Sequence, residues 1–220
     1  MNSLDHNMRH LSFWDKKCSI DQMSDWCGNY DLKWKRDIRN IIKIKGYNSV
    51  LDIGAGVYSE YYGFLANGID ITYKATEITE KFITFGIKQN IDVVNCNIEK
   101  LFFEDSTFDS VICYDVLNHQ LDYKKGISEM IRVCKKEIFI SFFKPFIEHN
   151  TFKASIGSAF KTQFSDLGII QYRFTDFIKR PICIYHFYSK IKLKEYLDSL
   201  GVVHKFISID DKVILKILVS

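Results

Sequence analysis

Two carboxylates and a pair of glycines are the residues of this chain whose types and spacing could do chemistry. The run Ser49-Val50-Leu51-Asp52-Ile53 leads into Gly54-Ala55-Gly56, and Glu77 closes the next apolar segment about twenty residues later. Apolar segments that end in an acid and a Gly-x-Gly turn hold a nucleoside-carrying ligand at the carboxyl ends of two parallel strands. The spacing also narrows the ligand. A nicotinamide site calls for a third glycine near Ser59 and an apolar residue in place of Asp52, whereas this chain has Tyr58 and Ser59 in that region. A carboxylate before the turn repels a pyrophosphate but suits a ligand that bears an ammonium group.

The elements that must position these residues follow from periodicity. Val50–Ile53, Thr72–Glu77, Ile91–Val94, Ser110–Tyr114 and Glu137–Phe142 read as strands, with helices at Ser59–Asn67, Thr79–Lys88 and Tyr123–Cys134 between them. Strand alternating with helix at this spacing predicts an α/β chain with a mostly parallel sheet and helices on both faces. A helix at Ile191–Leu200, stopped by Gly201, precedes two alternating runs, Val202–Ile209 and Lys212–Val219, around Asp210-Asp211. These read as an antiparallel hairpin. The chain is expected to form a single domain with four parts: a helical cap (1–45), a cofactor-binding core (46–145), a substrate-lid insertion (146–185), and a C-terminal helix and hairpin (186–220).

In the cap, Trp34, Ile38, Ile41 and Ile42 recur at helical spacing, with Lys33, Lys35, Arg36, Arg39 and Lys43 between them. This reads as an amphipathic helix with a solvated basic face. Trp26 and Tyr30 are expected to pack in the core. The insertion is rich in aromatic and basic residues, such as Phe152, Tyr172, Arg173 and Lys179, and lies where an acceptor would be covered. The composition, 47% hydrophobic and 26% charged over 220 residues, is that of an ordinary globular chain. A net charge of +3 is too small to argue for nucleic acid. The six cysteines form no C-x-x-C pair and read as buried thiols. Neither a signal peptide nor a membrane-spanning stretch is expected, which points to the cytoplasm.

The segments VLDIGAG (50–56), ATEIT (75–79) and NIEKLFFEDSTFDSVICYDVLNHQLD (97–122) resemble class I S-adenosylmethionine-dependent methyltransferases, in particular the small-molecule group typified by ubiquinone-biosynthesis C-methyltransferases. RVCKKEIFISFFKP (132–145) and HFYSKIKLKEYLDSLG (186–201) continue the resemblance. It implies a Rossmann-like, seven-stranded sheet that ends in the antiparallel hairpin, with S-adenosylmethionine as cofactor. Asp52 would hold the ligand's ammonium group, while Gly54, Ala55 and Gly56 let the backbone approach it. Glu77 would accept from the ribose hydroxyls, followed in the motif by Ile78. Asn97, where the family often has Asp, would meet the adenine edge. Ile98 would pack on the purine face, and Tyr114 would place its backbone near the methionine portion. Tyr114 and Tyr58 both depart from the family pattern.

Methyl transfer from a sulfonium is an in-line displacement, so alignment supplies most of the effect. A hydroxyl or acidic carbon acceptor also needs a base. His119, at a position where the family frequently has His, is the first candidate, with Asp115 and Asn118 nearby. His186, opening a loop before the last helix, is the second. No metal-ligand spacing is present. The expected partner is a small-molecule acceptor. An RNA or protein methyltransferase using the basic first helix is one alternative, and a non-catalytic partner subunit of the same fold is another.

Overall fold

A computed structural model of the chain describes residues 13–16, 18–120, 122–142, 160–165, 168–173, 184–210 and 212–219, with side chains for all of these except those from 160 to 187. The strands are β1 (Ser49–Ile53), β2 (Thr72–Glu77), β3 (Val93–Asn95), β4 (Phe108–Tyr114), β5 (Cys134–Ser141), β6 (Phe160–Ser165), β7 (Gly168–Arg173), β8 (Ile184–Tyr188), β9 (Val203–Ile209) and β10 (Lys212–Leu218). The helices are α1 (Ile20–Cys27), α2 (Lys33–Ile44), α3 (Ser59–Ala66), α4 (Glu80–Lys88), α5 (Tyr123–Val133) and α6 (Lys190–Ser199).

Seven strands form one sheet in the order β3-β2-β1-β4-β5-β10-β9. The first five run parallel, β10 is antiparallel to β5, and β9 is antiparallel to β10. The order reverses beside β1, between β2 and β4, so the carboxyl ends of these strands open onto a crevice at a topological switch point. The alternation of side chains divides the core in two. Leu51, Ile53, Val111 and Cys113 face the side covered by α5 and α6, while Val50, Tyr73, Ala75 and Ile112 face the side covered by α2 and α3. Asp52 lies on the second side, because it is two residues from Val50.

Local chemistry explains several boundaries. Asp122 caps α5 by accepting from the Lys124 amide at 2.8 Å, and the helix buries Tyr123, Ile127, Met130 and Val133, one turn apart. α5 then runs into β5 without a loop, so Cys134, read from the sequence as the helix end, begins the strand. α1 was not anticipated, although Ser19 and Gln22 form a reciprocal capping box at its start. The insertion holds β6 and β7, which form a three-stranded antiparallel sheet with β8 at its far boundary, and none of the three strands was expected from the sequence. Residues 143–159 and 174–183, which include Phe152 and Lys179, lie outside the described residues, as do the side chains of Tyr172, Arg173 and His186. Among the described residues no helix is long and apolar enough to cross a membrane.

The basic face of α2 is a correction. Lys33 and Lys43 are exposed and Arg36 is half-buried, but Lys35 is 3% exposed and Arg39 1%. These two lie one turn apart along the Ile38–Ile42 edge of the apolar stripe, so packing that stripe on the sheet takes them inward. Trp26 and Tyr30 are a second correction: they are exposed rather than in the core. α1 and the turn after it ride over the mouth of a cavity instead of joining a packed layer.

Candidate functional site

A cavity of about 670 Å³ opens at the carboxyl ends of β1, β2 and β4. The turn after β1 contributes Asp52 and Gly54 to Gly56, the end of β2 contributes Glu77 and Ile78, and the loop after β3 contributes Asn97 and Ile98. Tyr114 closes β4, and His119 lies in the short 3₁₀ turn Leu117–His119. All ten sequence-nominated residues from these segments line the one cavity. His186 does not sit in a loop: its backbone is in β8, paired with Ile170.

The Gly-x-Gly turn has two distinct requirements. Gly54 and Gly56 take φ of +66° and +55°, a conformation that costs an L side chain free energy. At Gly54 an added Cβ would lie 2.5 Å from the Val116 side chain. The collision expected with a ligand is therefore, at this position, a collision with the residue that leaves β4. At Gly56 the nearest atoms are Met23 Cγ and Sδ, at 3.6 and 3.7 Å, so α1 lies directly over the turn.

Glu77 is buried and draws the turn together. Its Oε2 accepts from the Gly56 amide at 3.0 Å, and its Oε1 accepts from the Ile78 and Thr79 amides at 2.8 and 3.2 Å. Burial still raises its pKa above the usual carboxylate range, against the lowering effect of those backbone bonds. Asp52 is also buried, and burial pushes its pKa up to about 7, although Tyr73 Oη donates to its Oδ2 at 2.5 Å. Asn97 Oδ1 accepts from the Glu99 amide at 2.9 Å, a side-chain turn that fixes the amide and leaves its NH₂ group as donor. Ile98 is 3% exposed on the cavity wall.

The other end of the cavity is aromatic and charged. Tyr114 meets Trp34 edge to face at 4.8 Å between ring centroids, and its hydroxyl is buried. Trp14 meets His119 in the same way at 5.1 Å. Asp115 adopts a left-handed conformation, φ +61°. Lys212 Nζ reaches its two oxygens at 2.7 and 2.6 Å, and Ser141 Oγ donates to it at 2.8 Å. Lys212 also lies 5.4 Å from the centre of the Trp34 ring. Tyr58, which departs from the family pattern, packs on α4. Its hydroxyl donates to the Phe82 carbonyl at 2.8 Å, and its ring lies beneath Gly86 of α4.

Comparison with known proteins agrees with this geometry. A family profile described as "Methyltransferase domain" matches residues 51–142. The chain is 27% identical over 176 residues to the ubiquinone/menaquinone biosynthesis C-methyltransferase UbiE of Stenotrophomonas maltophilia, covering 66% of this chain and 70% of that protein. It is 30% identical over 129 residues to UbiE of Klebsiella pneumoniae, covering 52% and 51%. Among solved structures, SAM-bound CalS10, an amino pentose methyltransferase from Micromonospora echinaspora, superposes with a TM-score of 0.63 at 10% identity, covering 90% of this chain and 95% of that one. SAM-bound magnesium protoporphyrin IX methyltransferase from Synechocystis PCC 6803 superposes with a TM-score of 0.61 at 15% identity over the whole of both chains. Residues 51–142 are a methyltransferase domain, and the chain is an S-adenosylmethionine-dependent enzyme with the fold of the solved methyltransferases.

Several residues in or directly behind the cavity wall of this methyltransferase were not nominated from the sequence. Tyr73 shares the strand face of Ala75 and Glu77 and is adjacent to β1, so the two-residue period places its hydroxyl beside Asp52. That signal was present but unused. Lys212 read only as the start of the last strand, and its approach to Asp115 depends on the antiparallel placement of β10 against β5. Lys35 of α2 and Glu60 of α3 come together across the fold: Lys35 Nζ donates to Ser59 Oγ, 24 residues away in sequence, at 2.7 Å and lies 3.7 Å from Glu60 Oε1.

Proposed function

We propose that this methyltransferase transfers the methyl group to a small-molecule acceptor and that the cavity holds the cofactor and the acceptor end to end. The observation that carries the reading is the convergence of two buried carboxylates, Asp52 and Glu77, from the ends of adjacent parallel strands on one cavity. In this arrangement Asp52 faces the ammonium group, Glu77 the ribose hydroxyls, and Ile98 and Asn97 the adenine. Ala55, Ile78 and the backbone of Tyr114 complete the walls.

The residues present fit that cofactor. On the cavity wall, Glu60 Oε1 and the Tyr114 hydroxyl are buried with no hydrogen-bond partner among the described residues. Buried polar atoms in proteins are generally paired, so a polar ligand end would supply what these two lack. Bound, the cofactor contributes a methyl group already activated by a sulfonium. The chain's own residues do the rest. Trp14, Trp34 and Tyr114 wall off the reacting end from water, and Asp115, fixed by Lys212 and Ser141, gives that end a rigid polar edge. His119 is the group placed to take a proton from the acceptor, whereas the Asp115 oxygens are engaged by Lys212.

The cavity volume supports an acceptor of metabolite size, since about 670 Å³ is within the range of small-molecule sites. The names of the relatives, a quinone-biosynthesis C-methyltransferase and an amino pentose methyltransferase, point the same way. The burial of Lys35 and Arg39 removes two of the five basic residues on which an RNA-binding α2 would have depended. Calorimetric titration with S-adenosylhomocysteine tests the cofactor placement. Wild type should bind in the micromolar range and Glu77→Ala about tenfold or more weakly, as expected for lost charge-assisted hydrogen bonds. Equal binding by the two proteins would move the nucleoside away from β2.

A further inference from the structure

A carboxylate holds a cation strongly only while it is ionised, and burial works against ionisation. Asp52 is 4% exposed on the cavity wall, and its one donor among the described residues is the Tyr73 hydroxyl, 2.5 Å from Oδ2. The fold builds this contact. In the parallel register of β1 and β2, Tyr73 stands two residues before Ala75, the partner of Asp52, so it shares the face of Asp52 and its phenol is long enough to reach the carboxylate. The ring is held from α3 by Tyr61, edge to face at 5.4 Å, and by Phe64, tilted at 6.4 Å. Tyr73 is not among the residues that line the cavity, so what it does for a ligand it does through Asp52. Burial also holds its own pKa well above the usual phenol value, which keeps it a donor.

The other ionisable groups around Asp52 are neutral or already answered. Glu77 of β2 accepts from the Gly56, Ile78 and Thr79 amides. Lys35 of α2 and Glu60 of α3 lie 3.7 Å apart as an ion pair and act on Asp52 in opposite directions. Cys27 of α1, Tyr58 before α3, and Cys113 and Tyr114 of β4 all have pKa values raised by burial, so they carry no charge near neutral pH. Against the cost of burial, the bond from Tyr73 is the largest effect that favours the charged form of Asp52. Resting on the placement of the cofactor's ammonium group beside Asp52, we propose that Tyr73 is a positioning residue for the cofactor: its hydroxyl holds Asp52 oriented and ionised, and so sets how well the cofactor binds near neutral pH. Phenylalanine at this position keeps the ring that Tyr61 and Phe64 pack and removes the hydroxyl alone.

The test follows wild type and Tyr73→Phe across pH in two measurements. The first is urea denaturation of the ligand-free protein. The fall in stability that Asp52 causes as pH rises should end near pH 7 in wild type, and about one to two pH units higher in Tyr73→Phe. That shift is the worth of a hydrogen bond to a charged group, about 10- to 100-fold in an equilibrium. The second is calorimetry with S-adenosylhomocysteine, which should bind Tyr73→Phe about 10- to 100-fold more weakly than wild type at pH 6 but within about threefold at pH 9, where ionisation of Asp52 no longer limits either protein. In an Asp52→Asn background the same substitution should alter the pH dependence of neither measurement, which ties the effect to the carboxylate. An unshifted stability curve in Tyr73→Phe would overturn the proposal, because Tyr73 would then not govern Asp52. A shifted stability curve with no pH-dependent loss of affinity would overturn it differently, by moving the ammonium group away from Asp52. Equal weakening at pH 6 and pH 9 would leave Tyr73 a packing residue and overturn it as well.

Discussion

Replacing Asp52 with asparagine should make the ligand-free protein more stable at alkaline pH while making its cofactor affinity insensitive to pH. Asp52 is buried, and its pKa in the folded chain is about 7, against 3.8 for the free side chain, with burial the main cause. Because the folded value is raised, the folded protein keeps a proton that the unfolded chain gives up. Stability from this group is therefore fully present below about pH 4, falls as pH rises from 4 to 7, and stays low above that. At about 1.4 kcal/mol per unit, the roughly three-unit difference is worth on the order of 4 kcal/mol at pH 8. Asparagine has the same shape, carries no charge and still accepts from Tyr73 Oη. Urea denaturation should thus show Asp52→Asn more stable than wild type by a few kcal/mol at pH 8 and by much less at pH 5.

Ligand binding should reverse the preference. An ammonium group beside Asp52 favours the ionised carboxylate, so binding near pH 6.5 should expel a proton, seen as a dependence of the calorimetric heat on the ionisation enthalpy of the buffer. Affinity of wild type for S-adenosylhomocysteine should rise with pH up to about 7, by nearly tenfold per unit at the acid end. Asp52→Asn should bind more weakly and show no such slope. Parallel stability curves for the two proteins between pH 5 and 8, or the same affinity slope in both, would refute the reasoning.

Two further outcomes follow from the geometry. Gly54→Ala combines a positive φ with a Cβ 2.5 Å from Val116 and should cost about 2 kcal/mol or more in urea denaturation, whereas Gly68→Ala, with similar φ and open space around it, should cost about 1 kcal/mol; equal costs would show that Val116 yields. His119→Asn should lower the turnover of an acceptor that must lose a proton by about 10²- to 10⁴-fold while S-adenosylhomocysteine affinity stays within about twofold, and unchanged turnover would remove His119 as the base.

The frame of the fold follows from local patterning. Strands β1 and β4 were legible as short, mostly apolar runs because helices cover both faces of the sheet, and the helices between the strands were legible by the period of their buried faces. Asp52, Gly54, Gly56 and Glu77 were legible for a related reason: a turn at the end of a parallel strand fixes its residues in space by spacing alone. Elements whose reading depended on distant neighbours went astray. Lys35 and Arg39 looked like a wet helix face because nothing within α2 reveals that Glu60 of α3 waits on the other side. Trp26 looked like core because an aromatic side chain reads the same whether it packs on a sheet or overhangs a cavity. The insertion gave no period strong enough to announce β6 to β8. Only the tertiary structure joined Tyr73 to Asp52 and Lys212 to Asp115, and set Lys35 between the end of α1 and the start of α3. Such pairings rest on the packing of elements far apart in the chain, and the free energy that decides them is spread over the whole core, not written in any one segment.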